Sequence, residues 1–214
     1  SYDTMATTAH TFDTPEEKFD PKKCSVVFYD QDGQELERVG IVYAESRWSQ
    51  PGMKGDITQD IAIIKLARES RTPQYRFPYR YSGFEELKDT PVAVAGFHGD
   101  VRYHQIIRRT TGRVSMYERG GHAEAAARET NTSLSNVSSL LVGDYDSNHG
   151  TSGSPIFNLK GEAIGIHTGT IVSNSKRNSN EFSKSDNFNR GIRFDAQFHA
   201  DVERIAKMKI APTI

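Results

Sequence analysis

In the run Asn148-His149-Gly150-Thr151-Ser152-Gly153-Ser154-Pro155, one glycine stands two positions before a serine and another directly follows it. An exposed nucleophile on a tight turn needs these residue types. Gly150 frees the backbone to aim its own N–H and that of Ser152 at one point, where the oxyanion of a tetrahedral intermediate would form. The chemistry implied is acyl transfer. A serine hydroxyl is a weak nucleophile until a base takes its proton, and that base must be held in one tautomer by a third group. Two upstream residues offer these roles. His10 follows Thr4-Met5-Ala6-Thr7-Thr8-Ala9, and Asp60 heads the near-continuously apolar run Ile61-Ala62-Ile63-Ile64-Lys65-Leu66, which reads as a buried strand. An acid at the head of such a strand must face water or be paired.

Each signal is weak alone. Glycine and serine are common in surface loops, an aspartate before a strand is more often a turn residue, and one histidine among seven is more often a surface or satisfied core residue. Together they are specific. Thr-Ala-His, Asp-Ile-Ala-Ile-Ile-Lys-Leu and Gly-Thr-Ser-Gly-Ser-Pro, in the order His10, Asp60, Ser152, resemble the three signatures of trypsin-like (chymotrypsin-fold) serine peptidases. Pro155 to Gly169 is similar to the hairpin after the serine in V8-type glutamyl endopeptidases, and Asn187 to Phe194 to the last strand of that branch. From about Arg68 to Val142 only the strand pattern matches. The resemblance implies an all-β, double-barrel fold with a C-terminal helix. It also implies a serine endopeptidase acting on polypeptides without metal or organic cofactor, with Gly150 and Ser152 N–H groups as the oxyanion hole.

Those residues need a scaffold, and the sequence predicts one made of short strands. Cys24 to Tyr29 and Leu36 to Ala44 form a hairpin around Asp30-Gln31-Asp32-Gly33, because Asp-Gly between β-branched runs is a strong turn signal. Thr90 to Phe97 pairs with Gly112 to Tyr117, and Ile156-Phe157 with Ala163 to His167 around Lys160-Gly161. Many short strands with turns between them suggest barrels or sandwiches. Helix is expected at Ala123 to Arg128 and over Asp195 to Lys209, where Asp195 can cap and Phe198, Val202 and Ile205 recur at helical spacing. Glu129 to Ser139 and Ser173 to Asn187 read as loops. The implied division is 1–85, carrying His10 and Asp60; 86–194, carrying Ser152 and the specificity pocket; and 195–214, the helix and tail. Only nine residues precede His10, so the first barrel is expected to lack its opening strands. A fragmentary sequence, absent upstream residues, or strands donated by a segment of its own precursor after cleavage would each account for this.

Composition bounds the partners. A net charge of −1 gives no electrostatic footprint for nucleic acid, and no apolar stretch reaches bilayer-spanning length. Cys24 is the only cysteine, so no internal disulfide is possible. It reads as a small buried apolar residue. The lack of disulfides and of a visible leader favours an intracellular protein, cytoplasmic or in a host cytoplasm if viral.

Specificity is where the residues leave alternatives. The resemblance puts His167, fifteen residues after Ser152, at the pocket histidine that recognises Glu or Gln before the scissile bond. A neutral or charged imidazole can donate to either side chain. Asp146 and Ser147, six and five residues before Ser152, have the spacing of the trypsin pocket, which favours Lys or Arg; Asp146 could instead orient His167. An apolar preference is the third option. Outside peptidases, a catalytically silent binding module would keep the fold and lose the triad. A hydrolase built on Gly-x-Ser-x-Gly would need the order Ser, acid, His and a second glycine where Ser154 stands.

Overall fold

A computed structural model describes residues 3–12, 20, 23–30, 32–49, 55–72, 77–81, 87, 89–97, 107–116, 139–147, 150–172 and 187–209. The expected helix at Ala123 to Arg128 and nearly all of both expected loops lie outside these residues. Two sheets account for most of the rest. The first contains β1 (Thr4–Thr7), β2 (Ser25–Tyr29), β3 (Glu35–Ser46) and β4 (Ala62–Leu66) in the order β1-β4-β3-β2. It has β1 and β2 at its edges among the described residues. The second is a closed barrel of β5 (Thr90–Phe97), β6 (Ile107–Met116), β7 (Leu140–Gly143), β8 (Pro155–Asn158), β9 (Ala163–Val172) and β10 (Asn187–Arg193), ordered β10-β7-β6-β5-β8-β9. All pairings within both sheets are antiparallel. One helix, α1 (Ala196–Ala206), follows.

The elements form where local chemistry asks for them. The first hairpin closes at Gly33, whose φ of 78° is the left-handed conformation a glycine adopts without strain. β4 is buried along its whole length, as its apolar run requires. β6 begins at Ile107 rather than Gly112 and meets all of β5, from Thr90↔Val114 to Phe97↔Ile107. The Asp195 carboxylate caps α1 by accepting from Phe198 N at 2.7 Å, and Phe198 and Ile205 turn into the core. Asp60 is the correction: it ends a 3-10 turn, Ile57–Gln59, instead of opening the strand. A turn there lets its carboxylate bend off the sheet. Cys24 is half-buried rather than buried, packed against the cluster of Phe28, Val39, Ile41, Ile64 and Leu66.

The two sheets share a core. Ile61 and Ile63 from the first pack with Leu140, Ile166, Ile192 and Phe194 of the second and with Phe198 and Ile205 of α1. Burial of each such side chain is worth about 1.5–3 kcal/mol, so the cluster holds both sheets and the helix against one another. A polar tie reinforces it at β1. Lys65, 2% exposed, reaches Asp3 Oδ1 at 2.9 Å and the Ala206 carbonyl at 2.8 Å. It thereby joins the start of β1 to the end of α1, and β1 leads directly into the turn that carries His10.

Candidate active site

His10 sits on a single 3-10 turn, Ala9–Thr11, that ends β1. Its conformation is set from below by Thr8, fully buried, whose hydroxyl lies 2.7 Å from that of Thr11. Asp60 grips this turn twice. Its Oδ1 accepts from the His10 backbone N at 2.9 Å, and its Oδ2 lies 2.8 Å from His10 Nδ1. The aspartate side chain is 1% exposed and the histidine 36%, so a buried carboxylate holds a ring that is itself partly exposed. Trp48 flanks the ring at 6.4 Å between centroids, and its indole N–H donates to the Asp56 carbonyl at 2.7 Å, fixing it beside the Asp60 turn.

Ser152 is exposed on the turn between β7 and β8. Gly150 and Gly153 on either side of it have φ of 91° and 84°, a backbone that a side chain would strain. Gly153 also admits the neighbouring sheet: a Cβ there would lie 2.8 Å from Thr7 Oγ1 and 3.7 Å from Thr8 N. The serine turn is therefore seated against the residues that lead into His10. From the other side it is pinned to β9, with Gly153 N donating to the His167 carbonyl at 2.9 Å and His167 N to the Ser154 carbonyl at 2.8 Å. The serine turn thus lies between β1, which leads into the turn carrying the Asp60-held His10, and β9, which carries His167; among the described residues no hydrogen bond joins Ser152 to His10. Asn148 and His149 lie outside the described residues.

Beside the serine turn, His167 is 3% exposed, and its Nδ1 lies 2.9 Å from the Tyr145 hydroxyl, with the rings edge to face. Burial pushes the Tyr145 phenol far above its usual range, the positive charge of Arg190 working in the other direction, so the group stays protonated and can donate to the imidazole. Its other contact, to the Arg190 carbonyl, is longer at 3.4 Å. Asn189 locks the same wall: its side-chain amide donates to the Tyr145 carbonyl, and its oxygen accepts from the Ser147 hydroxyl. Asp146 stands apart. It is exposed, and its carbonyl accepts from Thr110 Oγ1 at 2.8 Å; among the described residues no hydrogen bond joins its carboxylate to His167.

Tyr145, Asn189 and Trp48 are missing from the sequence reading. Tyr145 had a signal, a large aromatic one residue before Asp146 and close upstream of the nucleophile. Asn189 had none, because its role depends on β10 lying between β7 and β9.

A family model described as a trypsin-like peptidase domain matches residues 1–166. Among solved structures, a Glu endopeptidase determined in complex with MPD is 17% identical at a TM-score of 0.67, over 98% of this chain and 83% of that one. A scabies mite inactivated protease paralogue is 13% identical, also at 0.67, covering 100% and 87%. A thermostable serine protease from an extremophilic microorganism is 15% identical at 0.64, covering 97% and 86%. No curated protein matches the chain. At these identities the likeness is one of fold, a chymotrypsin-like double barrel, and it includes a relative described as inactivated.

Proposed function

The chain belongs to the trypsin-like peptidase family, and on that premise we propose that it is a serine endopeptidase working through Ser152, His10 and Asp60, with a taste for an acidic or amide side chain before the scissile bond. The carrying observation is the double grip of Asp60 on His10, 2.8 Å to Nδ1 and 2.9 Å to the backbone N. A carboxylate so placed keeps Nδ1 protonated and leaves Nε2 as the base. Ser152 Oγ attacks the peptide carbonyl while His10 Nε2 takes its proton. The same imidazolium then protonates the leaving amine, giving an acyl-enzyme that water hydrolyses by the reverse path. Asp60 stabilises the imidazolium without itself being protonated. The N–H groups of Gly150 and Ser152 hold the oxyanion, each such donor being worth about 3 kcal/mol.

The taste rests on His167. With its Nδ1 accepting from Tyr145, its Nε2 carries a proton and donates to an oxygen on the substrate side chain. Ser147, tied to Asn189, stands on the same wall. The exposure of Asp146 speaks against Lys or Arg, since a pocket floor that binds a cation needs its carboxylate buried at the base.

A fluorophosphonate label and a peptide-library cleavage profile test both parts. The label should attach to Ser152, which a silent binding module would not allow. The profile should be dominated by Glu or Gln before the cut. Cleavage after Lys and Arg, or after Phe and Leu, would remove His167 from the pocket.

A further inference from the structure

The outer wall of the second barrel carries a feature that the chemistry above does not use. Along β5, Val92 and Val94 point into the core, so Pro91, Ala93 and Ala95 face outward. These small residues floor an open groove of about 580 Å³, with Arg109 and Arg113 of β6 on one side and Phe77, Phe157 and Leu159 on the other. The ladder sets its width. β5 lies between β6 and β8, with Ala95 opposite Arg109 and Ala93 opposite Phe157. The two flanks therefore stand two inter-strand spacings apart, roughly 10 Å. That admits one polypeptide segment and is too narrow for a folded domain.

The flanks differ in chemistry. On one, Phe77 and Phe157 meet edge to face at 4.9 Å between centroids, and Phe77 and Leu159 are 49% and 80% exposed. Leu159 is held outward by a braced turn, in which Asn158 Oδ1 accepts from Lys160 N at 2.9 Å and from Glu162 N at 3.0 Å. Large apolar side chains displayed together beside a groove mark a contact surface. On the other flank the acids are already engaged. Asp89 Oδ1 accepts from Arg113 Nε at 2.7 Å, and Asp144 Oδ1 from the Arg113 backbone N at 2.6 Å. The Glu162 carboxylate, at the turn, accepts from Asn158 Nδ2 at 2.8 Å. Arg109 is exposed and has no ion-pair partner among the described residues.

We propose that this groove docks an extended peptide segment in which acidic and apolar side chains alternate, at a site separate from Ser152. Successive side chains of an extended chain point to opposite sides, so a segment lying along β5 turns one set toward Arg109 and the other onto Phe77, Phe157 and Leu159. The carboxylates gain charge-assisted hydrogen bonds from a guanidinium that is always charged. The apolar side chains bury against a wall already in place, which lowers the cost of binding. β5 is paired along both edges, so it offers the guest no backbone ladder, and side chains alone carry the recognition. The inference concerns binding and does not rest on the catalytic reading.

The probe is acetyl-Phe-Asp-Leu-Asp-Phe-amide, titrated calorimetrically into the full chain carrying Ser152→Ala so that the peptide is not cut. Saturable binding of one peptide per chain is expected, weakening as salt screens the exposed charges. The counterpart with Lys in place of both Asp should bind at least roughly tenfold more weakly. Adding Arg109→Gln should weaken the acidic peptide about tenfold, and Leu159→Ser should weaken it severalfold. Both side chains are exposed, so neither change threatens the fold. Arg109→Glu should reverse the preference in favour of the Lys peptide. Absence of saturation up to roughly 1 mM, the weak end of specific affinity, would overturn the proposal. So would equal affinity for the two peptides, or binding that survives both Arg109→Gln and Leu159→Ser, which would place the peptide elsewhere. Self-association lost in Leu159→Ser, with no peptide bound, would make the groove a contact between copies and overturn it as well.

Discussion

His10 and His167 are both held through Nδ1, at 2.8 and 2.9 Å, and they differ in the group that holds them. Asp60 is a carboxylate, so when His10 gains a proton on Nε2 the resulting charge already has a partner. Tyr145 is a buried phenol that keeps its proton, so it brings no counter-charge to His167. The first arrangement favours a ring that shuttles protons, and the second a ring that donates one fixed hydrogen bond. Exposure follows the same division. His10 is 36% exposed at the meeting of the two sheets, whereas His167, on a barrel strand, is 3% exposed. On the proposed reading, one side-chain type serves chemistry and recognition according to what stands behind it.

The largest test removes what both histidines serve. Ser152→Ala should lower kcat by on the order of 10⁶ and abolish fluorophosphonate labelling. Stability should change by less than about 0.5 kcal/mol, because the site is exposed. Labelling that persists would move the nucleophile elsewhere. Adding His10→Ala to this variant should cost little more, since members of a triad act as one unit.

Asp60→Asn asks whether the carboxylate matters as a charge. It should reduce kcat about 10⁴-fold by fixing the wrong tautomer, while the order of preference among peptides differing before the cut stays as in wild type. A changed preference would mean that the two histidines do not act separately.

Tyr145→Phe is the matching change behind His167. Removing the hydroxyl leaves Nδ1 buried with its partner lost, at a cost of about 1–3 kcal/mol in denaturant unfolding. Discrimination in favour of polar side chains should fall by roughly tenfold or more, with labelling of Ser152 much less affected. Labelling and discrimination falling in parallel would show that Tyr145 supports the barrel in general rather than the orientation of the ring.

Much of this could be read from the residues, and the limits have physical causes. The serine turn, the Asp60-led strand and the capped helix are local patterns, in which each residue's neighbours in sequence are also its neighbours in space. Ser25–Tyr29 and Glu35–Ser46 pair because Asp30 to Gly33 brings them together within one turn. The wall around His167 is different. Tyr145 and Asn189 come from the segment after β7 and from β10, and their meeting with β9 depends on a barrel order, β10 between β7 and β9, that no spacing in the chain reveals. Asp60 was identified by type but expected in a strand, because the apolar run behind it hides the turn formed by Asp56, which accepts from Thr58 N at 2.9 Å. Lys65 reads as the polar interruption of a strand, and only the fold brings Asp3 and Ala206 to it.

The smallest effect tests whether the shared core treats the two histidines alike. α1 rests on the cluster that combines Ile61 and Ile63, next to Asp60, with Ile166 and Ile192, next to His167 and Gly191. Asp195→Ala removes the carboxylate that accepts from Phe198 N at 2.7 Å, a cap worth about 1 kcal/mol, and should lower the unfolding midpoint by about 2–4 °C in a domain of this size. Because the helix touches both sheets through one cluster, the loss should be global. Rate per folded molecule and preference among peptides should both match wild type at temperatures below the transition. If preference shifted while the labelling rate held, the helix would be bracing the barrel side alone. The contrast between the two histidines would then depend on α1 as well as on the groups behind their rings.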